Sequence, residues 1–457
     1  MGGVFWTVEP PTRGHARSLR RKWFACGLVV FVIACHRDGG AQTRAADAPP
    51  GVVLHARRIL DVRSAKLIED AAIYVEGERI KAVGVAAEVL KNAPAAVLVL
   101  DLGSATILPG LIDGHTHLLA RVPEGAGGYA LNLATKSEAY RALEGAANAR
   151  ATLQAGFTTV RDVGNEGSRY ADIALRDAID TGLVEGPRMR VATRGVASVG
   201  QYFPFGISAD LDGFPSGAQM ISGVDEARRA VREQIGRGAD LIKVYADWDH
   251  PTLTLAELQA IVEEAHKAGR KVAAHASTRE GIRNAVAAGV DSVEHGTQAD
   301  RETLESMKAK GVFLLPTLSV ADAWAAKAPE NAASPRLQAY MEGARRTVAM
   351  ARSMGVKIVN GSDPSSIDRH GRNAEELVAM TKRGLSAIEA IRAATTSAAD
   401  LLGMSDDVGA VEAGKYADLI AVDGNPLDDI TALLHVKFVM KGGRIIKNDQ
   451  PASQSAR

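Results

Sequence analysis

Cysteine is almost missing from this chain. Two of its 457 residues are cysteines, Cys26 and Cys35, and both lie near the N-terminus. The rest of the protein therefore has no disulfide and no thiolate metal ligand. Any metal site there has to use histidine and carboxylate. An excess of charge of either sign is missing too, since 54 Lys and Arg offset 54 Asp and Glu. That balance removes the electrostatic case for nucleic acid as the main partner. No apolar run reaches the roughly 20 residues that a membrane-spanning helix needs. There is no low-complexity tract and no repeat of fixed period. What remains is a globular composition, 46% hydrophobic and 24% charged, with 45 glycines scattered along the chain. Scattered glycine suits many short strand-to-helix connections.

The N-terminus reads as a targeting segment. Arg17, Arg20, Arg21 and Lys22 precede an apolar run of 12 residues, Trp23 to Ala34. This has the order of a signal peptide, a basic region followed by a short apolar core. Val32-Ile33-Ala34-Cys35 resembles a bacterial lipobox, with Cys35 as the lipidated first residue of the mature chain. Ordinary secretion with cleavage near Ala45–Ala48 is the alternative. Residues before His15 look like an upstream start-site extension. The expected location is the periplasm or a membrane-anchored lipoprotein, with membrane contact only through the leader or its lipid.

Beyond residue 50 the pattern changes twice. Val52 to about Thr106 is β-rich, with short alternating or apolar runs broken by Gly and Asp. The C-terminal part is similar, in YADLIAVDG and VKFVMKGGRIIKN, with Gly442-Gly443 as a hairpin turn. Between them, eight apolar runs alternate with helical stretches: ILPGLIDGHTH, FTTVRDVG, RMRVATRG, DLIKVYAD, KVAAHAS, VDSVEHG, VFLLPTLS and KIVNGSD. The amphipathic stretches LAELQAIVEEAHKAG and RETLESMKAKG each end in a C-capping glycine. The pattern predicts an α/β fold, a TIM-like (β/α)8 barrel with a small β-sandwich built from both chain ends. A doubly wound sheet is less favoured, because no Gly-rich dinucleotide turn follows any strand. On this reading 1–50 are leader and tether, 51–108 the first part of the sandwich and 109–403 the barrel. Residues 404–450 are the second part of the sandwich, and 451–457 a tail.

Polar residues sit at the C-terminal ends of several predicted strands: His115 and His117 on the first, Lys243 on the fourth, His275 on the fifth, His295 on the sixth and Asp363 on the eighth. Barrel active sites are built at that end. His115 and His117 have strand spacing, so both imidazoles face one side and can grip one cation. Taken alone, H-x-H is a weak signal. Lys243 lies in an otherwise buriable run, Leu241 to Tyr245. Burial disfavours its ammonium form. It either snorkels to the barrel mouth, pairs with Asp247, or is neutralised and carboxylated by carbon dioxide, which would give an anion able to bridge two metals.

Pro109-Gly110-Leu111-Ile112-Asp113-Gly114-His115-Thr116-His117 resembles the first-strand signature of the amidohydrolase superfamily. Ile242-Lys243-Val244, His275, Val293-Glu294-His295-Gly296 and Gly361-Ser362-Asp363 resemble its later ligand strands, in order. The segment from Gly409 to Leu419 is also typical of it. The resemblance covers about residues 51–447, and is nearest to the imidazolonepropionase-like branch that includes metal-dependent Xaa-Pro dipeptidases.

The resemblance implies two divalent metal ions, usually zinc. One would take His115, His117 and Asp363, and the other His275 and His295. Carboxylated Lys243 and a hydroxide would bridge them. The bridging hydroxide would attack the scissile carbonyl, and Asp363 would carry its proton to the leaving nitrogen.

Substrate residues are Tyr245, two residues after Lys243, whose phenol would hold a substrate carboxylate, and His370, in the loop after the eighth strand. A Tyr that merely caps the barrel wall is the bland alternative. His250 follows the fourth strand and is a weaker candidate. The loop after the third strand lacks the Gly-Gly-His that many relatives carry. Its aromatic Tyr202, Phe203 and Phe205 suggest a larger apolar pocket. Arg161-Asp162 reads as a structural ion pair.

The expected enzyme is a peptidase-like amide hydrolase acting on dipeptides or N-acyl amino acids. The competing readings are a hydrolase of a cyclic amide or of an aryl amide or ester xenobiotic, and a surface-anchored binding protein on the same scaffold. A small-molecule amide is the expected partner, and a homo-oligomer is allowed.

Overall fold

The computed structural model describes residues 51–123, 127–202, 213–327, 334–366, 368–449 and 453–456. The leader, Cys35 and the loop aromatics Phe203 and Phe205 lie outside the described residues. Among those described, no helix is long and apolar enough to cross a membrane.

In chain order the strands are β1 (Val52–Asp61), β2 (Lys66–Glu76), β3 (Arg79–Val85), β4 (Leu98–Asp101), β5 (Thr106–Pro109), β6 (Leu111–Thr116), β7 (Phe157–Asp162), β8 (Arg188–Val191) and β9 (Gly195–Ser198). They continue with β10 (Ala218–Ile221), β11 (Leu241–Tyr245), β12 (Lys271–Ala276), β13 (Ser292–His295), β14 (Phe313–Leu315), β15 (Leu419–Val422), β16 (Phe438–Lys441), β17 (Arg444–Asn448) and β18 (Ser453–Ala456).

The two β-rich ends of the chain share one nine-stranded sheet. β5 is its junction, because it pairs with β1 on one side and with β15 from the C-terminal part on the other. The sheet forks at β1: Val52–His55 pair with β4, whereas Arg58 and Ile59 pair with β5. Alternating residues of these strands, among them Leu54, Ile73, Ile107, Leu419 and Phe438, form a fully buried core of their own. Two expectations need correction. Pro109 pairs with Leu419 in this sheet, so the boundary falls one residue later than expected. Residues Ser453–Ala456 are not a free tail, because they form β18 against β4.

The middle of the chain forms parallel sheets, β6-β7-β8 and β10-β9-β11-β12-β13-β14, with helices between the strands. Side-chain alternation sorts the strands. Ile242, Val244, Val272, Ala274 and Val293 face the helices in the largest apolar core, whereas Leu241 and Ala273 pack in a separate small cluster on the other face. Helix ends follow local chemistry. Thr254 and Glu257 form a capping box at the start of Leu255–Lys267. Gly311 caps Arg301–Lys310 in the left-handed region, at φ 72°.

Backbone hydrogen bonds also link β8 to the start of β11 and β6 to the segment after Ile358. Asp240 N donates to Val191 O at 2.8 Å, and Gly114 N to Asn360 O at 2.8 Å. Three of the eight expected strands differ from the sequence reading. The first is cut at Gly110, where an added Cβ would collide with Thr158, so β5 and β6 enter different sheets. The third is cut at Thr193, whose φ of 62° ends β8 before β9 begins. The eighth reduces to a bridge of Ile358 to Leu314.

Candidate metal centre

His115 projects from β6, and His117 lies just past its end. Their rings meet edge to face with centroids 5.2 Å apart. Asp363 follows the bridged segment after Ile358, and its backbone N–H donates to His115 O at 2.9 Å. His115, His117 and Asp363 each place a ligand atom within 4.8 Å of the others. Asp363 Oδ1 is 3.4 Å from His117 Nε2 and 3.8 Å from His115 Nε2. His295 adjoins this group, with ring centroids 5.3 Å from His115 and 4.6 Å from His275. The six residues expected from the sequence thus include five that form one contiguous cluster. Lys243, fully buried, is the sixth, and its charge acts on His115, His117, His275, His295 and Asp363.

Local backbone geometry makes this possible. His295 and Asp363 are both left-handed, at φ 68° and 47°. Non-glycine residues rarely adopt that region, and such strain concentrates at functional sites. At His295 the turn breaks strand alternation, so Glu294 and His295 both reach the cluster although they are consecutive. Gly361 lies so close to β6 that an added Cβ would come within 2.7 Å of His115 Cβ.

The imidazoles are oriented for metal binding. Glu294 is fully buried, and its Oε2 accepts from His115 Nδ1 at 2.7 Å. Its Oε1 accepts from Arg161 Nη2 at 2.8 Å and from Ser292 Oγ at 2.6 Å. With Nδ1 committed, His115 presents Nε2, which is buried and without a hydrogen-bond partner among the described residues. Such an orphaned acceptor is costly unless something binds it. His117 Nδ1 donates to Gly164 O at 2.8 Å, which likewise leaves Nε2 facing Asp363. This is the pattern in which carboxylate or carbonyl partners fix metal-binding histidines.

Titration favours ligand forms. Burial holds His115 and His275 well below the usual imidazole range, with the Lys243 charge acting in the same direction, and takes His295 down to about 3. His117 differs: burial pushes it down, but Glu166, Asp363 and Asp162 together raise it. Burial raises Asp363 to about 6 and lowers Lys243.

Sequence reasoning missed two acids. Glu294 was visible only as part of a strand motif. Glu166 follows β7 at φ 49° and gathers three phenols. Tyr129 and Tyr202 donate to its Oε2 at 2.8 and 2.9 Å, and Tyr245 to its Oε1 at 3.4 Å. Oε1 also lies 3.4 Å from His117 Nδ1. Tyr245 stacks on Trp248, and Trp248 meets His275 with centroids 4.4 Å apart. An aromatic wall therefore runs from the metal cluster to Tyr202. His370 is nearly buried, and its Nε2 contacts Ala120 O at 2.8 Å. Arg161 and Asp162 do not pair with each other. Arg161 is tied to Glu294, and Asp162 Oδ2 accepts from Leu118 N at 2.6 Å.

Glu294→Gln is expected to weaken metal binding by about 10–100-fold, because the amide holds His115 less strongly than the carboxylate does. Competition with a chromophoric chelator measures this. Unchanged affinity would remove Glu294 from the site.

The model of the amidohydrolase family matches residues 106–446. Ochratoxinase from Aspergillus niger is 33% identical over 375 residues, which cover 75% of this chain and 75% of that protein. Imidazolonepropionase from Shouchella clausii is 25% identical over 417 residues, covering 84% and 87%. The solved structure of a Xaa-Pro dipeptidase with bound methionine in the active site matches with a TM-score of 0.76 at 32% identity, covering 86% of this chain and 99% of that one.

Proposed function

The chain belongs to the amidohydrolase family, in its prolidase-like branch, and from that premise we propose a two-metal enzyme that cleaves the C–N amide bond of dipeptides or N-acyl amino acids. The observation that carries this reading is the buried, unpartnered Nε2 of His115 beside His117 and Asp363. On it, His115, His117 and Asp363 would hold one divalent ion, and His275 and His295 a second, with Lys243 buried beside the cluster. Zinc suits an imidazole and carboxylate set. When bound, the ions would bring the pKa of water to about 7 and polarise the scissile carbonyl.

The chain's own groups do the rest. Asp363 takes up the proton released in the attack and delivers it to the leaving nitrogen, since an amine leaves poorly without it. Lys243, with its ammonium form disfavoured by burial, presents a free amine. That amine can add to the carbon of carbon dioxide and lose one proton, and the resulting anionic carbamate would supply oxygen ligands to bound ions. Glu294, backed by Arg161, holds His115 in its metal-binding tautomer.

A second reading is favoured by one observation. The Tyr245 phenol, expected to hold a substrate carboxylate, is shared with Tyr129 and Tyr202 on the chain's own Glu166. A resident carboxylate repels a second one, so a cyclic amide or an aryl amide without an acid group fits this wall better than a dipeptide. A panel of Xaa-Pro dipeptides, N-acyl amino acids and neutral aryl amides, assayed with metal content, separates the two readings. On the first, Tyr245→Phe raises KM for acidic substrates by about tenfold and leaves kcat nearly unchanged. On the second, neutral amides are turned over and Tyr245→Phe hardly matters. No metal-dependent turnover of any member would defeat both.

The same reading covers fold and location. The parallel sheets are taken as one eight-stranded barrel over 110–403, and the nine-stranded sheet as a small sandwich. Residues 1–50 are taken as an export leader with a lipid anchor at Cys35.

A further inference from the structure

A second cavity lies at the opposite ends of the strands from the metal cluster. It is lined by Arg161, Arg190, Arg270 and Lys271, by Asp240, and by the helix end at Leu401–Gly403, and has a volume of about 310 Å³. Leu241 and Lys271, which border it, are the first residues of β11 and β12. Asp363, His275 and His295 follow or end their strands, so the two sites face opposite ways. In barrels the chemistry belongs to the strand C-termini, and the other face normally carries only stability. Three of the cations gathered there, Arg190, Arg270 and Lys271, are therefore unexplained by catalysis.

The charges around the cavity do not cancel. Arg161 is balanced by Glu294, and Asp240 by Arg176 at 2.8 Å and by Val191 N. Lys271 Nζ donates to Leu401 O at 2.6 Å and Asp400 O at 3.2 Å, which are neutral carbonyls. Asp400 pairs with Lys357, and Asp291 with His266. Among the described residues, no ion pair or hydrogen bond engages the guanidinium of Arg190 or that of Arg270. Arg270 Nε is moreover buried. Burying a charged donor without a partner is costly. Two free guanidinium forks beside an ammonium are the donors that match a carboxylate or a phosphate group.

We propose that this cavity is a binding site for a small divalent oxyanion, inorganic phosphate or a short dicarboxylate. The two unpaired guanidiniums set the charge of the ligand, and the volume restricts it to a small molecule. Arg161 borders the cavity, and its guanidinium is committed to Gly114 O, Ser292 Oγ and Glu294 Oε1, so a bound anion lies one residue from the carboxylate that orients His115.

Calorimetric titration of the full chain with sodium phosphate and with succinate, at fixed ionic strength, tests this. Thermal melting is read in parallel. The expected result is one saturable site for at least one of the two, and a rise in Tm at saturation. Phosphate binding more tightly than succinate assigns the site to a phosphate group, and the reverse assigns it to a dicarboxylate. In Arg190→Gln/Arg270→Gln the affinity falls by about tenfold or more, while turnover without added anion is kept. Arg270→Gln alone, a milder change, is expected to give part of that loss and serves if the double variant does not fold. The proposal is overturned if neither anion binds saturably below about 10 mM. It is equally overturned if both bind the folded variants as tightly as the parent chain.

Discussion

Asparagine at position 363 is expected to leave metal in the protein and to lower kcat about a thousandfold. The amide is nearly isosteric with the carboxylate and keeps an oxygen that can face His117. What it cannot do is take up a proton from the attacking water and return it to the leaving nitrogen. General acid–base groups contribute typically 10²–10⁴-fold, and here one residue serves both steps. The loss is thus expected in kcat more than in KM. Metal analysis of the same preparation separates a lost proton carrier from a lost ligand. A fully active Asp363→Asn protein would show that the proton travels by another route.

Lys243→Ala is expected to be at least as damaging, with turnover down by about ten-thousandfold and metal content reduced by about half. The lysine is fully buried near four histidines and Asp363, and burial disfavours its cationic form. If the lysine acts as a carbamate, its removal leaves space for a carboxylate, so a short carboxylic acid added at high concentration is expected to restore part of the activity. Restoration by acid, absent in the parent protein, identifies the missing group as a carboxylate. If Lys243→Ala keeps its metal and its rate, the lysine is no bridge and only fills the barrel.

The clustered residues were legible because each imidazole or carboxylate interrupts or ends an apolar run, a pattern that burial makes expensive. His275 and Asp363 could be read in this way without any knowledge of their neighbours. Glu294 could not. Strand alternation allows either Glu294 or His295 to face inward, and only the left-handed φ of 68° at His295 lets both do so. The division between β5 and β6 was hidden for a similar reason, since ILPGLIDGHTH reads as one run until Gly110 meets Thr158. Glu166 was beyond local reasoning altogether. Its partners Tyr129, Tyr202 and Tyr245 come from three distant parts of the chain, and a single sequence carries no sign that they converge.

The hydrogen bonds from Gly114 to Asn360 and from Asp363 to His115 also bear on how the molecule is made. They join segments roughly 250 residues apart, close to the separation of 248 between Ile112 and Asn360, which are bonded as well. Contacts of such span form late and slowly, because a long loop must close before they repay its entropy. A nascent chain that has emerged only as far as His295 already carries the four histidines of the cluster, but neither Asp363 nor the segment that packs against β6. Assembly of the His115, His117 and Asp363 group therefore comes late in folding, and it reports that β6 and the segment after Ile358 have met.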